Sequence, residues 1–269
     1  YDVNQMYGEN YGYRSGLNQE MVSHLKLKNK KINNLVQFKP NDIVLDIGSN
    51  DGTLLGFYQE DIQRVGIDPT ISKFSRYYKR NIIQVPNFFD GDCFKNLGIG
   101  DRAKAISSIS MFYDLPDPNK FVDDIKNILH KDGVWIFEQS YLPQMLSTNS
   151  YDTICHEHIE YYSLRVINQL LQDNGLKIAD LSLNKVNGGS IEICAVHQDN
   201  LVSNPVLADF LLMQEERMQL HTIDPYLEFA RKAEIHKQEL TCLIESLNQS
   251  GAKVAAIGAS TKGNVVLQY

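Results

Sequence analysis

Five short apolar runs constrain this chain more than any other feature. They are IVLDIGS (43–49), VGIDP (65–69), IIQVP (82–86), AKAISSIS (103–110) and GVWIFEQ (133–139). Each reads as a buried strand, because its apolar residues run together without a helical period. The segments between them carry helical spacing, most clearly Phe121 to Leu129, where Val122, Ile125 and Leu129 fall on one face. Strands alternating with helices predict an α/β unit whose sheet is mostly parallel and covered on both sides. A helix over 164–173 and strands near 176–183 and 190–197 close that unit.

The first strand ends in Asp46-Ile-Gly48-Ser49-Asn50-Asp-Gly52, which then opens a helix. Glycine there lets backbone approach a ligand, and a helix N-terminus faces it. Asp68, at the tip of the second strand, is placed to bind ribose hydroxyls, and Asn87-Phe88 follow the third strand. The dinucleotide signature G-x-G-x-x-G is missing. An acidic residue before the first glycine suits a ligand with a cationic amino group and no pyrophosphate. The expected cofactor is therefore S-adenosylmethionine, and the alternative is a bare strand–helix turn that binds nothing.

The organisation expected is a tyrosine-rich arm and helix over 1–30, a cofactor-binding domain over 31–200, and a helical linker over 201–269 leading into a second α/β domain. AKVAAIGAS (252–260) reads as the first strand of that second domain. The chain opens without Met and stops inside this strand–turn pattern, so it reads as a segment trimmed at both ends. Residues 140–162 show no clear period, and a long insertion at the end of a buried strand is usually functional. Eight of the fourteen tyrosines lie in the arm (Tyr1, Tyr7, Tyr11, Tyr13) or in and beside the insertion (Tyr141, Tyr151, Tyr161, Tyr162). A phenol offers a rigid apolar face and one donor, which suits a sugar pocket or a developing enolate; it also suits plain loop packing. Within the insertion stands Cys155-His156-Glu157-His158. A histidine with a carboxylate neighbour can act as a base near neutral pH. The spacing is not the helical H-E-x-x-H of metalloproteases, no third metal ligand is evident, and no metal is expected.

Net charge is -7, which argues against a nucleic-acid partner, since phosphate backbones want a basic stripe. The four cysteines contain no C-x-x-C pair, which suits a reducing cytosol rather than a disulfide framework. No apolar run is long enough to span a membrane. Near the C-terminus, Gly258-Ala-Ser260-Thr261-Lys262-Gly-Asn could hold a diphosphate by hydrogen bonds and charge, or could be an ordinary strand–helix turn.

The segments YGYRSG (11–16), LDIGSNDGTLL (45–55), FEQSYLP (137–143), NSYDTICHEHIEYYSL (149–164), NGGSIE (187–192) and GASTKGNVVLQY (258–269) resemble the sugar C-methyltransferases of deoxysugar biosynthesis. The resemblance implies a class I methyltransferase sheet and a nucleoside-diphosphate 4-keto-6-deoxy sugar as substrate, methylated on the carbon beside its ketone. It implies that His158 removes the α-proton with Glu157 beside it, and that Tyr11 and Tyr13 lie over the active site. It further implies that His156, Asn187 and Ser190 contact the sugar, and that Ser260, Thr261 and Lys262 hold the nucleotide. Two features depart from the family pattern. The usual cysteine-rich zinc-binding domain is absent from this sequence, and Cys155 stands where a tyrosine is common. A sugar O-methyltransferase, a nicotinamide-dependent sugar oxidoreductase or epimerase, and a non-catalytic nucleotide-binding module are the alternatives.

Overall fold

The computed structural model describes residues 6–7, 11–256, 258 and 261–269. Seven strands form one sheet: β1 (Ile43–Ile47), β2 (Gln63–Ile67), β3 (Ile82–Val85), β4 (Ala103–Ile109), β5 (Leu129–Ser140), β6 (Leu176–Asn184) and β7 (Ser190–His197). Their spatial order is β3-β2-β1-β4-β5-β7-β6. The first five run parallel, and β7 is antiparallel to both its neighbours. This is the mostly parallel α/β sheet expected, and the seven strands expected between residues 43 and 197 are all present. The chain order reverses at β1, so the tips of β1 and β4 part there and leave the crevice in which such sheets bind ligands.

Alternation along each strand feeds two apolar layers. Ile43, Leu45 and Ile47 of β1 join Trp135 and Phe137 of β5 on one face. Helix α2 (Pro118–Ile128) covers that face with Val122 and Ile125, and helix α4 (Leu164–Asp173) with Ile167 and Leu171. Val44, Val134 and Ile136 point the other way, under helix α1 (Gln19–Leu35) with its Leu25 and Ile32. Asn18 caps α1, its side chain accepting from Glu20 N and Met21 N.

The face under α1 also carries charge. Glu138 of β5 and Glu192 of β7 are directly opposed in register and almost fully buried. Two like charges in that position repel. Lys28 of α1 reaches both carboxylates, His24 Nε2 lies 2.8 Å from Glu138, and Lys31 Nζ lies 2.7 Å from Glu192. Burial raises Glu138, yet the His24 hydrogen bond and the Lys28 charge overcome it and hold the carboxyl below its ordinary value.

Several boundaries differ from expectation. Helix α1 continues past residue 30 to Leu35, because Ile32 is one of its core contacts. Leu129, expected on the α2 face, begins β5 and pairs with Ala103. The insertion contains helix α3 (Leu142–Thr148), started by Pro143 in its first turn and stopped by Asn149 at φ 54°. Two helices follow β7, α5 (Val206–Arg217) and α6 (Asp224–Gln249). Residues 252–256, expected as a strand, carry none, since the described chain brings no sheet edge to them; Ile257, Ala259 and Ser260 lie outside the described residues. Helix α7 (Thr261–Gln268) folds back instead: Val265 and Val266 pack with Met145, Leu146 and Phe229. Among the described residues, no helix is long and apolar enough to cross a membrane.

Candidate active site

The turn after β1 is held open by its own backbone. Gly48, Asn50 and Gly52 all have positive φ, at 70°, 52° and 72°. At Gly48 an added Cβ would also press Met111 at 3.3 Å. Asp46 is buried on the α1 face, its carboxylate accepting from Ser107 Oγ at 2.6 Å. Burial pushes its pKa up to about 7, against the Ser107 hydrogen bond, with the Asp68 charge adding to the rise.

A cavity of about 530 Å³ opens above this turn. Asp46, Gly48, Ser49, Asn50, Asp68, Asn87 and Phe88 all line it, as does the arm through Tyr7, Tyr11 and Tyr13. Lys, Arg and His are missing from the described lining. Such a wall favours a cationic guest over a pyrophosphate.

Three cofactor-end residues are employed differently from expectation. Gly52 does not line the cavity; a Cβ there would sit 2.6 Å from the Tyr78 ring, so glycine lets Tyr78 close under the turn. Tyr78 in turn bonds Ser49 Oγ at 2.7 Å and donates to Asn50 O at 3.0 Å. The Asn50 amide is spent on the arm, accepting from Ser15 N at 2.9 Å and donating to Tyr13 O at 3.0 Å. Asp68 accepts from Asn50 N, Thr70 N and Thr70 Oγ1, which uses three of about four acceptor positions and leaves one open.

At the other end the wall is Tyr113, Asp114 and Asn187. Tyr113 fixes the His158 loop: its carbonyl accepts from Glu160 N at 3.1 Å, and its ring meets the His158 ring edge-on at 4.5 Å. His158 Nδ1 lies 2.9 Å from Thr153 O, so Nδ1 carries the proton and Nε2 keeps its lone pair. Burial lowers the His158 pKa, against the Thr153 carbonyl and the Glu157 charge, so the ring is neutral near pH 7. Lys262 joins from α7, its Nζ donating to Asn187 O at 3.2 Å and its charge also felt by His158.

The remaining expected residues lie further out. Glu157 and His158 are half-buried beside the cavity rather than in its lining, and His156 is exposed. Ser190 is buried and donates to Val186 O at 2.8 Å, closing the turn that displays Asn187 at φ 54°. Thr261 is exposed at the start of α7, and Ser260 lies outside the described residues. A third donor does stand by the His-Glu pair: Cys155, Glu157 and His158 bring ligand atoms within 4.8 Å of one another, a grouping able to gather a cation. Sequence reading missed it because Cys155 was read only as a replaced tyrosine. It also missed Tyr113 and Asp114, whose one signal was their place just past the carboxyl end of a parallel strand.

Residues 20–181 match the methyltransferase domain family, and residues 185–269 match the C-methyltransferase C-terminal domain. The C-methyltransferase NovU of Streptomyces niveus is 30% identical over 231 residues, which cover 84% of this chain. The chain spans about half, 54%, of that relative's length. Among solved structures, a chain of the Haloferax volcanii complex between the Trm112 methyltransferase activator and a methyltransferase superposes with a TM-score of 0.50 at 15% identity, covering 66% of this chain and 94% of that one. Magnesium protoporphyrin IX methyltransferase from Synechocystis PCC 6803, with bound SAH, gives 0.49 at 14% identity over 66% and 83% of the two chains.

Proposed function

The chain belongs to the S-adenosylmethionine-dependent methyltransferase family, with a C-methyltransferase C-terminal domain behind the cofactor half, and from that premise we propose that it methylates the carbon beside the ketone of a nucleoside-diphosphate keto-deoxysugar. S-adenosylmethionine supplies an electrophilic methyl group on a cationic sulfur. The donor set suits it: a buried Asp46 whose charged form wants a cation, glycine at the point of close approach, and a described wall without a basic side chain.

One observation carries the reading. A neutral histidine with its Nε2 lone pair available stands in ring contact with Tyr113, a wall of the cofactor cavity. An unactivated carbon does not attack a methyl group. It does so once a proton beside a carbonyl is lost, and His158 is the base for that step. Glu157 stabilises the imidazolium that forms. Tyr11 and Tyr13 close the arm over the site; burial holds the Tyr11 phenol protonated, so it acts as a donor. Lys262 and Thr261 take the diphosphate at the rim, where Lys262 already touches Asn187. The phosphates thus stay outside the acidic cavity and only the sugar enters.

The test is turnover of thymidine-diphosphate and guanosine-diphosphate 4-keto-6-deoxyhexoses with S-adenosylmethionine, the product read by mass and carbon NMR. The expected product carries its new methyl on carbon. A methyl ether, or no turnover with any keto sugar, would sink the reading.

A further inference from the structure

The mechanism above uses a base on one side of the substrate and leaves the carbonyl oxygen to the arm tyrosines. A second acidic side chain faces the same end of the cavity. Asp114 ends the short turn Phe112–Asp114 beyond β4. That turn is rigid: Ser110 N donates to Glu138 O at 2.8 Å, Asp114 N donates to Met111 O at 3.2 Å, and Phe112 is fully buried in the core. Its middle residue, Tyr113, is the one that holds the His158 ring. Asp114 is therefore fixed relative to the base through a single residue, and it lines the cavity that Tyr113 also lines.

Its surroundings are unusual for a carboxylate. The Tyr7 hydroxyl donates to it from the arm, and the Glu157 charge faces it from the His158 loop. Among the described residues, Tyr11, Tyr113, Cys155 and Tyr161 also feel its charge, and none of them is cationic. Burial, opposed by the Tyr7 hydrogen bond and reinforced by Glu157, pushes its pKa up to about 8. A carboxyl buried in such a wall with a negative charge nearby resists ionising. A protonated carboxyl keeps an acceptor for Tyr7 and gains one O–H donor.

We propose that Asp114 is a catalytic residue of the site, its carboxyl O–H donating a hydrogen bond to the substrate's carbonyl oxygen while His158 takes the proton from the adjacent carbon. This rests on the keto-sugar reading above. The C–H bond breaks and its proton goes to His158 Nε2. Its electron pair forms a C=C bond and displaces the carbonyl π pair onto oxygen, where the Asp114 O–H holds it. S-adenosylmethionine, when bound, would supply the methyl and keep the pair of the broken bond on its sulfur; as the carbon takes that methyl the C=O bond re-forms, and Asp114 retains its proton.

The experiment compares the wild-type protein with Asp114→Asn and Asp114→Ala in two assays. The first is kcat/KM against pH for methyl transfer. The second is deuterium exchange at the α-carbon of a thymidine-diphosphate 4-keto-6-deoxyhexose in heavy water with S-adenosylhomocysteine present, which reads proton abstraction without methyl transfer. In the wild type both rates fall above pH about 8 as Asp114 ionises. Asp114→Asn keeps a donor and lacks that limb, whereas Asp114→Ala loses about 100-fold in both assays, the usual cost of removing one oxyanion donor. Exchange by the wild type that Asp114→Ala leaves within about threefold, or a pH limb that survives in Asp114→Asn, would overturn the role of Asp114 and leave the base intact. Should either variant fold poorly, the wild-type limb alone decides: flat exchange through pH 9 overturns the proposal. No wild-type exchange at any pH, with no methyl transfer, would instead overturn the keto-sugar reading and this inference with it.

Discussion

At one end of the cavity the polar groups come from Asp46 to Asn87, the tips of three consecutive strands. At the other, Tyr7, Asp114, His158, Asn187 and Lys262 arrive on separate segments that extend almost to the C-terminus. The first end is held by local bonds among neighbouring strand tips: Gly48 N donates to Ile67 O at 2.9 Å, and Asn50 N to the Asp68 carboxylate at 2.8 Å. The second is held by side chains, ring contacts and a helix folding back from the C-terminal segment. A ligand shared by many enzymes suits a turn that sheet geometry makes almost by itself. A substrate particular to one enzyme suits walls that can change one at a time.

The sharpest way to test that division is His158→Ala. Loss of a general base costs about 10²–10⁴ in kcat, with cofactor affinity changed by no more than about twofold if the ends are independent. Steady-state kinetics beside calorimetric titration with S-adenosylmethionine reads both numbers. A large loss of cofactor affinity would break the comparison by showing that the two ends are one site.

Lys28→Met attacks the joint rather than either end. Glu138 and Glu192 would then face each other in the sheet with only their outer partners, His24, Asn184, Lys31 and Ser182. Breaking a buried pair by removing one partner costs about 3 kcal/mol, read as a fall in urea midpoint at unchanged slope. Adding Glu192→Gln should recover part of it. If Lys28→Met were neutral, α1 would not be fastened by this network, and the arm above it would have another anchor.

How much of this was legible follows the same division. The seven strands could be read because each is a compact apolar run, and the cofactor turn because its glycines and Asp68 lie within one strand–helix–strand unit. Asn50 and Gly52 were found for an incomplete reason: sequence shows a turn, but not that the Asn50 amide ties down Ser15 and Tyr13 or that Tyr78 lies under Gly52. Asp114 was invisible because a single acid after a strand has no pattern, and its raised pKa arises from burial, reinforced by the Glu157 charge against the Tyr7 hydrogen bond, contributions from segments far away in sequence. Residues 252–256 carry no strand among the described residues, because an apolar run forms one only where a sheet edge is available to pair with it.

Asp46 offers a smaller effect at the cofactor end. Its folded pKa, raised to about 7, lies above its ordinary value, so the folded protein holds an extra proton below pH 7. Without cofactor, the stability from that proton is complete at acid pH and is lost as pH rises towards 7. A cationic guest wants the ionised form, so affinity for S-adenosylmethionine should rise about tenfold from pH 6 to 8 and then level. Asp46→Asn should flatten the curve, while His158→Ala should leave it alone. A profile that follows His158→Ala instead would move this titration to the substrate end.

The smallest expected effect lies at the rim. Lys262 is only half-buried and donates to a backbone carbonyl, so its charge is available to a phosphate but screened by water. Lys262→Met should raise KM for the nucleotide sugar about three- to tenfold, leaving kcat and cofactor affinity near wild type, because a rim charge contributes about 1 kcal/mol. The loss should shrink as salt is raised from 20 mM to about 300 mM, where the Debye length falls well below 10 Å. A drop in kcat instead would mean that α7 positions the His158 loop. The substrate end would then depend on the C-terminal segment for its chemistry as well as for its grip on the ligand, and the contrast with the self-supporting cofactor turn would be greater than the static contacts alone require.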